Sequence, residues 1–311
     1  MLPIANNLSS EALINSLDEA LEMLREYSRD PLEMEVSEPL PSLLAQCESA
    51  VADIKGPQPL RSIHHFACAG GTLMSKTLFA LPNTVVLSEI DPLSTLLLSK
   101  SGRVPFAPTD LVRALRHSVR KIEDETIIAT FLGGLAAAKA GLEKGGRKLI
   151  LRDHAHSQFC QDGVDFEARP TLREILAERF DLRSVLTVRH PLDSFLALAL
   201  NGWVHFSPST LEEYAQRYLA FLDRHEGVEI LSYEEFTVDP EAVLQRMCVL
   251  LELTYSSLAT ALIGAVHLSG DSGRSSDGIC PRPRRPVPAE IAEQREGPTY
   301  QALCMRLGYT P

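Results

Sequence analysis

A glycine-containing stretch over residues 66–81, FACAGGTLMSKTLFAL, has the composition of a phosphate-binding loop. A hydrophobic run leads into Gly70 and Gly71, which lack a Cβ atom and so permit a positive φ and a close approach of the backbone to a ligand. The helical pattern that follows would point its first N–H groups at an anion. These residues predict a phosphate or sulfate site at the start of a helix.

The same stretch also fits, one glycine short, the Walker loop GxxxxGK[ST]. Gly70, Lys76 and Thr77 match that pattern, and Ser75 stands at its second glycine. In this register Lys76 would touch a transferred phosphoryl group. An ATP-dependent kinase is therefore one of the functions that the sequence admits.

A cluster of polar residues, RDHAH, follows the apolar run KLIL. His154 would lie at the carboxyl end of a strand, and the ordinary pKa of an imidazole suits a general base. His156 is a rival for this role and would share a face with His154 if the strand continued. Asp153 could orient one of these histidines or bind an acceptor.

Short apolar segments alternate with helical patterns from residue 61 onward. The predicted strands are RSIHHFA, TVVLSE, RKLILRD, LRSVLTVR and VEILSY, and the predicted helices after the glycine-loop helix cover residues 109–145, 191–203, 209–225 and 239–265. This alternation predicts a three-layer α/β/α fold around a mainly parallel sheet. Ligands of such sheets bind at the carboxyl ends of the strands, where the loop and the histidines fall.

The segment before this α/β domain reads as a separate helical extension. Residues 10–28 and 43–54 have helical patterns, and KGPQPLR interrupts the chain after them. The sequence therefore predicts an N-terminal helical extension over residues 1–58 and an α/β domain over residues 59–311.

Charge and composition exclude several classes of partner. The net charge of −11 argues against sequence-independent binding of nucleic acid. We expect no membrane span, because no run of about 18 apolar residues is present, and the first residues do not resemble a secretory signal. The six cysteines form no CxxC pair, so we expect free thiols, no zinc and a cytoplasmic location.

Taken together, the motifs resemble those of sulfotransferases that use 3′-phosphoadenosine-5′-phosphosulfate (PAPS). That family carries a loop of the type [KR]-S-G-[ST]-T-[LW] after its first strand. The corresponding residues here are Cys68, Ala69, Gly70, Gly71, Thr72 and Leu73. Gly70 and Thr72 match, whereas Cys68 replaces a basic residue that helps to stabilise the transferring sulfuryl group in the family.

Two further segments carry the resemblance. VRHPLD resembles the 3′-phosphate signature R-x-P-x-D-x-x-x-S through Arg189, Pro191 and Asp193. The serine of that signature falls at Ala197, and Ser194 is the candidate for supplying a hydroxyl one turn earlier. The segment from residue 152 to 154 is similar to the K-x-H of the family, whose histidine takes the proton of the acceptor.

The resemblance covers residues 61–290 and implies a P-loop nucleotide-binding fold with sulfotransferase activity. It implies that Gly70–Thr72 hold the 5′-phosphosulfate of PAPS, that Arg189 and Arg274 bind its 3′-phosphate, and that His154 is the general base. Lys76, Arg152 or backbone N–H groups would replace the missing loop cation. No metal is implied, and the acceptor would be a small molecule or a carbohydrate, with a lipid or a peptide left open.

Two alternatives to a sulfotransferase stay open from the sequence. A kinase would need a carboxylate for magnesium, and Glu89 and Asp91 in VVLSEIDP are the only candidates near a strand end. A nucleotide-binding or scaffold protein with a degraded active site is suggested by Cys68 and Ala197.

Overall fold

The computed structural model describes residues 58–96, 109–266, 268, 279–281 and 283–311 of the chain. All of them belong to one compact unit, Pro57–Pro311. The predicted helices over residues 10–28 and 43–54 lie outside the described residues, and so does Arg274.

Five parallel strands form the central sheet in the order β2-β3-β1-β4-β5. The strands are β1 (Leu60–His65), β2 (Thr84–Ile90), β3 (Lys148–Asp153), β4 (Leu182–Val188) and β5 (Glu229–Ser232). Each coincides with a predicted strand to within two residues at either end. The predicted α/β fold class is confirmed.

Helices connect the strands and cover both faces of the sheet. They are α1 (Gly71–Phe79), α2 (Leu111–Arg116), α3 (Asp124–Lys144), α4 (His156–Phe159), α5 (Leu172–Ala177), α6 (Pro191–Leu200), α7 (Leu211–Arg224), α8 (Tyr233–Val238), α9 (Pro240–Leu250), α10 (Leu258–Ala261), α11 (Ala289–Ala292) and α12 (Pro298–Leu307). Two 3₁₀ helices, Leu262–Ala265 and Glu293–Glu296, extend α10 and α11.

Two predicted helices are divided in the structure. The segment over residues 109–145 forms α2 and α3, because Asp110 caps α2 with its side chain and a new acidic first turn begins at Asp124. The segment over residues 239–265 stops at Leu250 and resumes as the short helix α10.

Side chains alternate between the two faces of the sheet with the period of two that strands impose. Ile63, Ile150 and Val185 belong to a core cluster that also contains residues of α1, α8 and α9. Leu149 and Leu186 point to the opposite face, in clusters with residues of α3 and α7. Both faces of the sheet are therefore covered by helices.

The strand order brings the candidate site residues to one edge of the sheet. β1 pairs with β3 on one side, where Ile63 is in register with Arg152, and with β4 on the other, where His65 is in register with Thr187. The loop after β1 therefore lies between the ends of β3 and β4, at the position where α/β sheets bind their ligands.

Helix α3 is long and apolar enough, by length and composition alone, to cross a membrane. Ile127, Leu132 and Leu135 of this helix are buried and pack in one cluster with Leu149 of β3. Part of its apolar surface therefore serves the core of this fold.

Candidate active site

The glycine loop is held between two aromatic rings. Gly70 has a φ of 85°, and a Cβ atom there would lie 2.3 Å from Cδ2 of Tyr233. A Cβ atom at Gly71 would lie 2.1 Å from Cδ2 of His65. Side chains at either position would collide with these rings, so the loop can pass between them only with glycine.

Helix α1 begins directly at this loop, at Gly71. The N–H groups of Ala69 and Leu73 bond the carbonyl groups of Phe66 and Gly70. The N–H groups at the start of the helix precede the first intrahelical bond and carry the positive end of its dipole. These N–H groups are the ones that the sequence predicted would face an anion, and that prediction stays open to test.

Arg152 lies beside the glycine loop and is almost fully buried, with 3% of its side chain exposed. Its Nη2 donates to Thr72 Oγ1 on the loop at 2.7 Å, and its Nε donates to His65 Nε2 at 3.0 Å. Its Nη1 donates to Ser88 Oγ at 2.8 Å and lies 2.5 Å from Glu89 Oε1. Contacts from β1, β2 and α1 thus fix the guanidinium group against the loop.

His65 is a neutral acceptor in this arrangement. Burial lowers the pKa of His65 well below its usual value, and the nearby charge of Arg152 lowers it further. Its Nδ1 lies 3.1 Å from the carbonyl oxygen of Phe66, to which it donates. Nε2 is therefore left to accept the hydrogen bond from Arg152.

His154 is held by the same carboxylate as Arg152. His154 Nε2 lies 3.0 Å from Glu89 Oε2, and 23% of the histidine side chain is exposed. Glu89 has a φ of 62°, at the point where the register between β2 and β3 shifts. The carboxylate therefore joins the cation beside the loop to the candidate base.

His156 occupies a different environment from His154. The strand ends at Asp153 and the chain turns into α4 at His156, so the condition under which the two histidines would share a strand face is not met. Their rings stack at 6.0 Å, and the His156 ring meets Trp203 edge-on at 6.4 Å. Burial lowers the pKa of His156 to about 4, with a smaller contribution from His154.

Asp153 points to the opposite face of the sheet from Arg152. Its Oδ2 lies 2.8 Å from Nδ1 of His64, and Nε2 of His64 lies 2.9 Å from Ser62 Oγ. All three side chains are buried. Asp153 therefore orients a histidine, but His64 rather than His154 or His156, and it does not reach the acceptor side.

Arg189 follows β4 and stacks on the ring that supports the loop. Its guanidinium carbon lies 4.8 Å from the centre of the Tyr233 ring. Its Nε is buried, and no group among the described residues accepts a hydrogen bond from it. A guanidinium group stacked on the ring that touches Gly70 suits a second anionic group.

The rest of the signature around Arg189 has structural contacts. Asp193 forms an ion pair with Arg284 at 3.3 Å. The N–H group of His190 donates to Glu234 at 3.0 Å. Ser194 is fully buried inside α6, because the helix turns its side chain toward the core. A ligand contact at Ser194 does not fit this placement.

Lys76 does not occupy the position of a Walker lysine. The helix begins at Gly71, so Lys76 is the sixth helical residue, one turn beyond Thr72 on the same face. Thr77 is buried, and its hydroxyl donates to the carbonyl oxygen of Met74 at 2.7 Å. The Walker register is therefore not formed.

Neither candidate carboxylate for magnesium is poised for a metal. Glu89 contacts Arg152 and His154. Asp91 accepts hydrogen bonds from Arg169 and from the Ser157 hydroxyl. Both carboxylates are engaged by groups of the protein itself.

The comparisons with known proteins agree with this geometry at the level of the fold. The sulfotransferase domain from the curacin biosynthetic pathway superposes with a TM-score of 0.50 and 13% identity, over 82% of this chain and 99% of that domain. The chain has the sulfotransferase fold.

Further solved structures show a weaker likeness. The sulfotransferase domain of the Synechococcus PCC 7002 olefin synthase gives a TM-score of 0.49 at 19% identity, over 83% of this chain and 98% of that one. Mouse sulfotransferase SULT7A1, complexed with PAP, gives a TM-score of 0.36 at 11% identity, over 83% of this chain and 86% of that one. No protein-family model and no curated protein sequence matches the chain.

Within this sulfotransferase fold, sequence reasoning overlooked three residues that contact the predicted site. Glu89 was considered only as a magnesium ligand, whereas it contacts Arg152 and His154. His65 and Tyr233 pack against the glycines. His65 is the last residue of β1 and Glu89 the last but one of β2, and a polar residue near the carboxyl end of a predicted strand was the signal available in the sequence.

The pKa of the Asp153 carboxyl allows a test of the buried network formed by Asp153, His64 and Ser62. Burial raises the pKa of this carboxyl to about 7, against an ordinary value of about 3.9. The folded protein therefore binds the proton more tightly than the unfolded chain between about pH 4 and 7, and ionisation of Asp153 lowers stability as the pH rises through that range. Asp153→Asn removes this penalty.

We expect the free energy of unfolding of Asp153→Asn, relative to the unsubstituted protein, to rise between about pH 4 and 7. The slope is at most about 1.4 kcal/mol per pH unit. Urea unfolding at a series of pH values measures it. Asp181→Asn is the control, because Asp181 is 67% exposed, and it should give a flat difference. A flat difference for Asp153→Asn as well would contradict the buried, proton-binding carboxyl.

Proposed function

We propose that the chain is a sulfotransferase that moves a sulfuryl group from PAPS to a hydroxyl or amine acceptor. The observation that carries the proposal is the contact of Arg152 with Thr72 and, through Glu89, with His154. It joins an anion-binding loop, a buried cation and a candidate base at one edge of the sheet. Loss of a proton by the acceptor and transfer of an anionic group require these three elements together.

The residues around the loop fit a donor with two anionic ends. Gly70–Thr72 and the start of α1 would hold the 5′-phosphosulfate. Arg189, with its buried Nε lacking a partner among the described residues, would bind the 3′-phosphate. Tyr233 supports both subsites, because its ring touches the loop at Gly70 and lies under Arg189.

His154 would take the proton of the acceptor. A Nε2–H that donates to Glu89 leaves Nδ1 with the lone pair, and Nδ1 can then act as the base. The acceptor oxygen or nitrogen bonds to sulfur, the bond from sulfur to the phosphate oxygen breaks, and adenosine 3′,5′-bisphosphate leaves with the bonding electrons. The protonated imidazole is stabilised by the Glu89 carboxylate beside it.

Arg152 would supply the positive charge that the family resemblance places at Cys68. Its guanidinium is fixed beside Thr72 before any ligand binds, and a fixed cation stabilises developing charge without reorganisation. Lys76, one turn farther along α1, is the secondary candidate for this role.

The choice of nucleotide tests the proposal. We expect adenosine 3′,5′-bisphosphate to bind without a divalent ion, and more tightly than ATP with magnesium. Arg189→Ala should weaken that binding by roughly 1.5–3 kcal/mol, the range for a hydrogen bond to a charged group. Isothermal titration calorimetry measures both quantities.

The matched control for this experiment is Arg183→Ala at the other end of β4, where Arg183 pairs with Asp181 and Glu252. It should leave the affinity unchanged. Equal losses in the two variants, or tighter magnesium-dependent binding of ATP, would contradict the assignment of Arg189 to the 3′-phosphate.

The role of Arg152 can be tested by moving its charge. Arg152→Ala should lower the rate of sulfuryl transfer by roughly 10²–10³-fold, the effect of losing one group that stabilises the transition state. Adding Cys68→Lys to this variant restores a cation at the loop and should recover part of the rate. Single-turnover transfer from labelled PAPS is the measurement, with bisphosphate titrations to confirm a folded donor site.

Arg147→Ala serves as the control, because Arg147 is exposed just before β3 begins, and it should transfer at the normal rate. If Cys68→Lys recovers nothing in a double variant that still binds the bisphosphate, Arg152 acts through geometry rather than charge.

A further inference from the structure

A cavity of about 420 Å³ opens beside the pair formed by Glu89 and His154. It lies between the segment after β2 and helix α2. The side chains that form its apolar wall are those of Pro92, Leu96 and Val112. Its volume falls at the lower end of the range of roughly 300–1,000 Å³ that is usual for small-molecule sites.

We infer that this cavity is the acceptor subsite and that the acceptor is a compact, largely apolar, uncharged alcohol or phenol. The inference rests on the proposed function, because it takes His154 as the base. It adds the route by which the hydroxyl reaches His154 and the class of molecule that carries it.

The carboxylates that border the cavity are already engaged. Glu89 contacts Arg152 and His154, and Asp91 contacts Arg169. The Asp110 side chain accepts from the N–H group of residue 113 as the cap of α2. A sugar with several hydroxyl groups needs several convergent partners in its site, and engaged carboxylates supply few.

Two basic residues, Arg113 and Arg116, line the cavity, and the Nε atom of Arg113 is buried. Arg116 donates from Nε and Nη2 to the carbonyl oxygen of Pro92, at 3.3 and 3.2 Å, and its Nη2 lies 3.5 Å from Asp124. Its aliphatic stem therefore borders the cavity while its charge is shared with the protein. The engagement of Arg116 by Pro92 and Asp124 favours an uncharged acceptor over an anionic one.

The groups of the cavity that could take part in the reaction are His154 and Glu89. The apolar side chains of Pro92, Leu96 and Val112 share the described lining with them, and the remaining described lining residues are polar: Asp91, Ser94, Asp110, Arg113 and Arg116. An acceptor with a single hydroxyl would bury its apolar body against that wall and present the hydroxyl to the imidazole. Apolar walls with a few polar groups that fix orientation are typical of small-molecule sites.

Substitutions at Val112 test the inference, with Leu111 as the matched control. Val112 lines the cavity, whereas Leu111, its neighbour on α2, is 62% exposed. Val112→Phe reduces the space and should raise KM for the bulkier 4-phenylphenol by roughly 10–200-fold, the range for small changes in an apolar pocket. Val112→Ala enlarges the space and should lower the KM for 4-phenylphenol relative to the KM for 4-nitrophenol.

The assay compares 4-nitrophenol, 4-phenylphenol, benzyl alcohol, glucose and a tyrosine-containing peptide as acceptors of labelled sulfate. Bisphosphate affinity is measured for every variant. We expect transfer to the phenols and benzyl alcohol, little to glucose or the peptide, and no change with Leu111→Phe. If Val112→Phe fails to fold, Val112→Ala alone decides the size preference.

The outcomes separate this inference from the proposed function. Preferential transfer to glucose or the peptide overturns the inference while the sulfotransferase function stands. Equal effects of the Val112 and Leu111 substitutions also overturn it, because the acceptor then does not use the cavity. Intact bisphosphate binding without transfer to the phenols or the alcohol contradicts the acceptor class. Failure to bind the bisphosphate at all overturns the proposed function itself.

Discussion

The candidate site depends on the contacts that the Glu89 carboxylate makes with Arg152 and His154. The carboxylate lies 2.5 Å from Arg152 and 3.0 Å from His154, so it compensates a buried cation and orients the candidate base at once. Glu89 adopts a positive φ, a conformation that costs a non-glycine residue on the order of 1–2 kcal/mol. The two contacts offset that cost, because a guanidinium group buried without its carboxylate would be far less stable.

Under the proposed function, Arg152 takes the place of the basic loop residue that Cys68 replaces. Because β3 pairs directly with β1, a long side chain from β3 reaches the loop that follows β1 and bonds Thr72. Under that proposal the cation comes from a neighbouring strand. The opposite face of β3 carries the buried carboxyl of Asp153 against His64, so successive residues of one strand serve the site and the core.

The sequence predicted all five strands because short strand-like segments alternate with helical patterns along the chain. The positive φ at Gly70 was also predictable, since two adjacent glycines between a strand and a helix permit it, but the packing of Tyr233 and His65 against these glycines was not. The partner of Asp153 was not predictable, because the pairing depends on which face each strand residue takes. Nor could the sequence show that Ser194 is buried or that Glu89 contacts two site residues, since both follow from packing between distant segments.

The claim that His154 is the base in a sulfuryl transfer is tested most directly by single-turnover transfer from labelled PAPS. His154→Ala should lower the rate by roughly 10²–10⁴-fold, the usual worth of general base catalysis, with donor affinity nearly unchanged. His156→Ala should cost much less, because His156 is shielded beside Trp203. A His154→Ala variant that transfers sulfate within a few-fold of the normal rate would contradict the account.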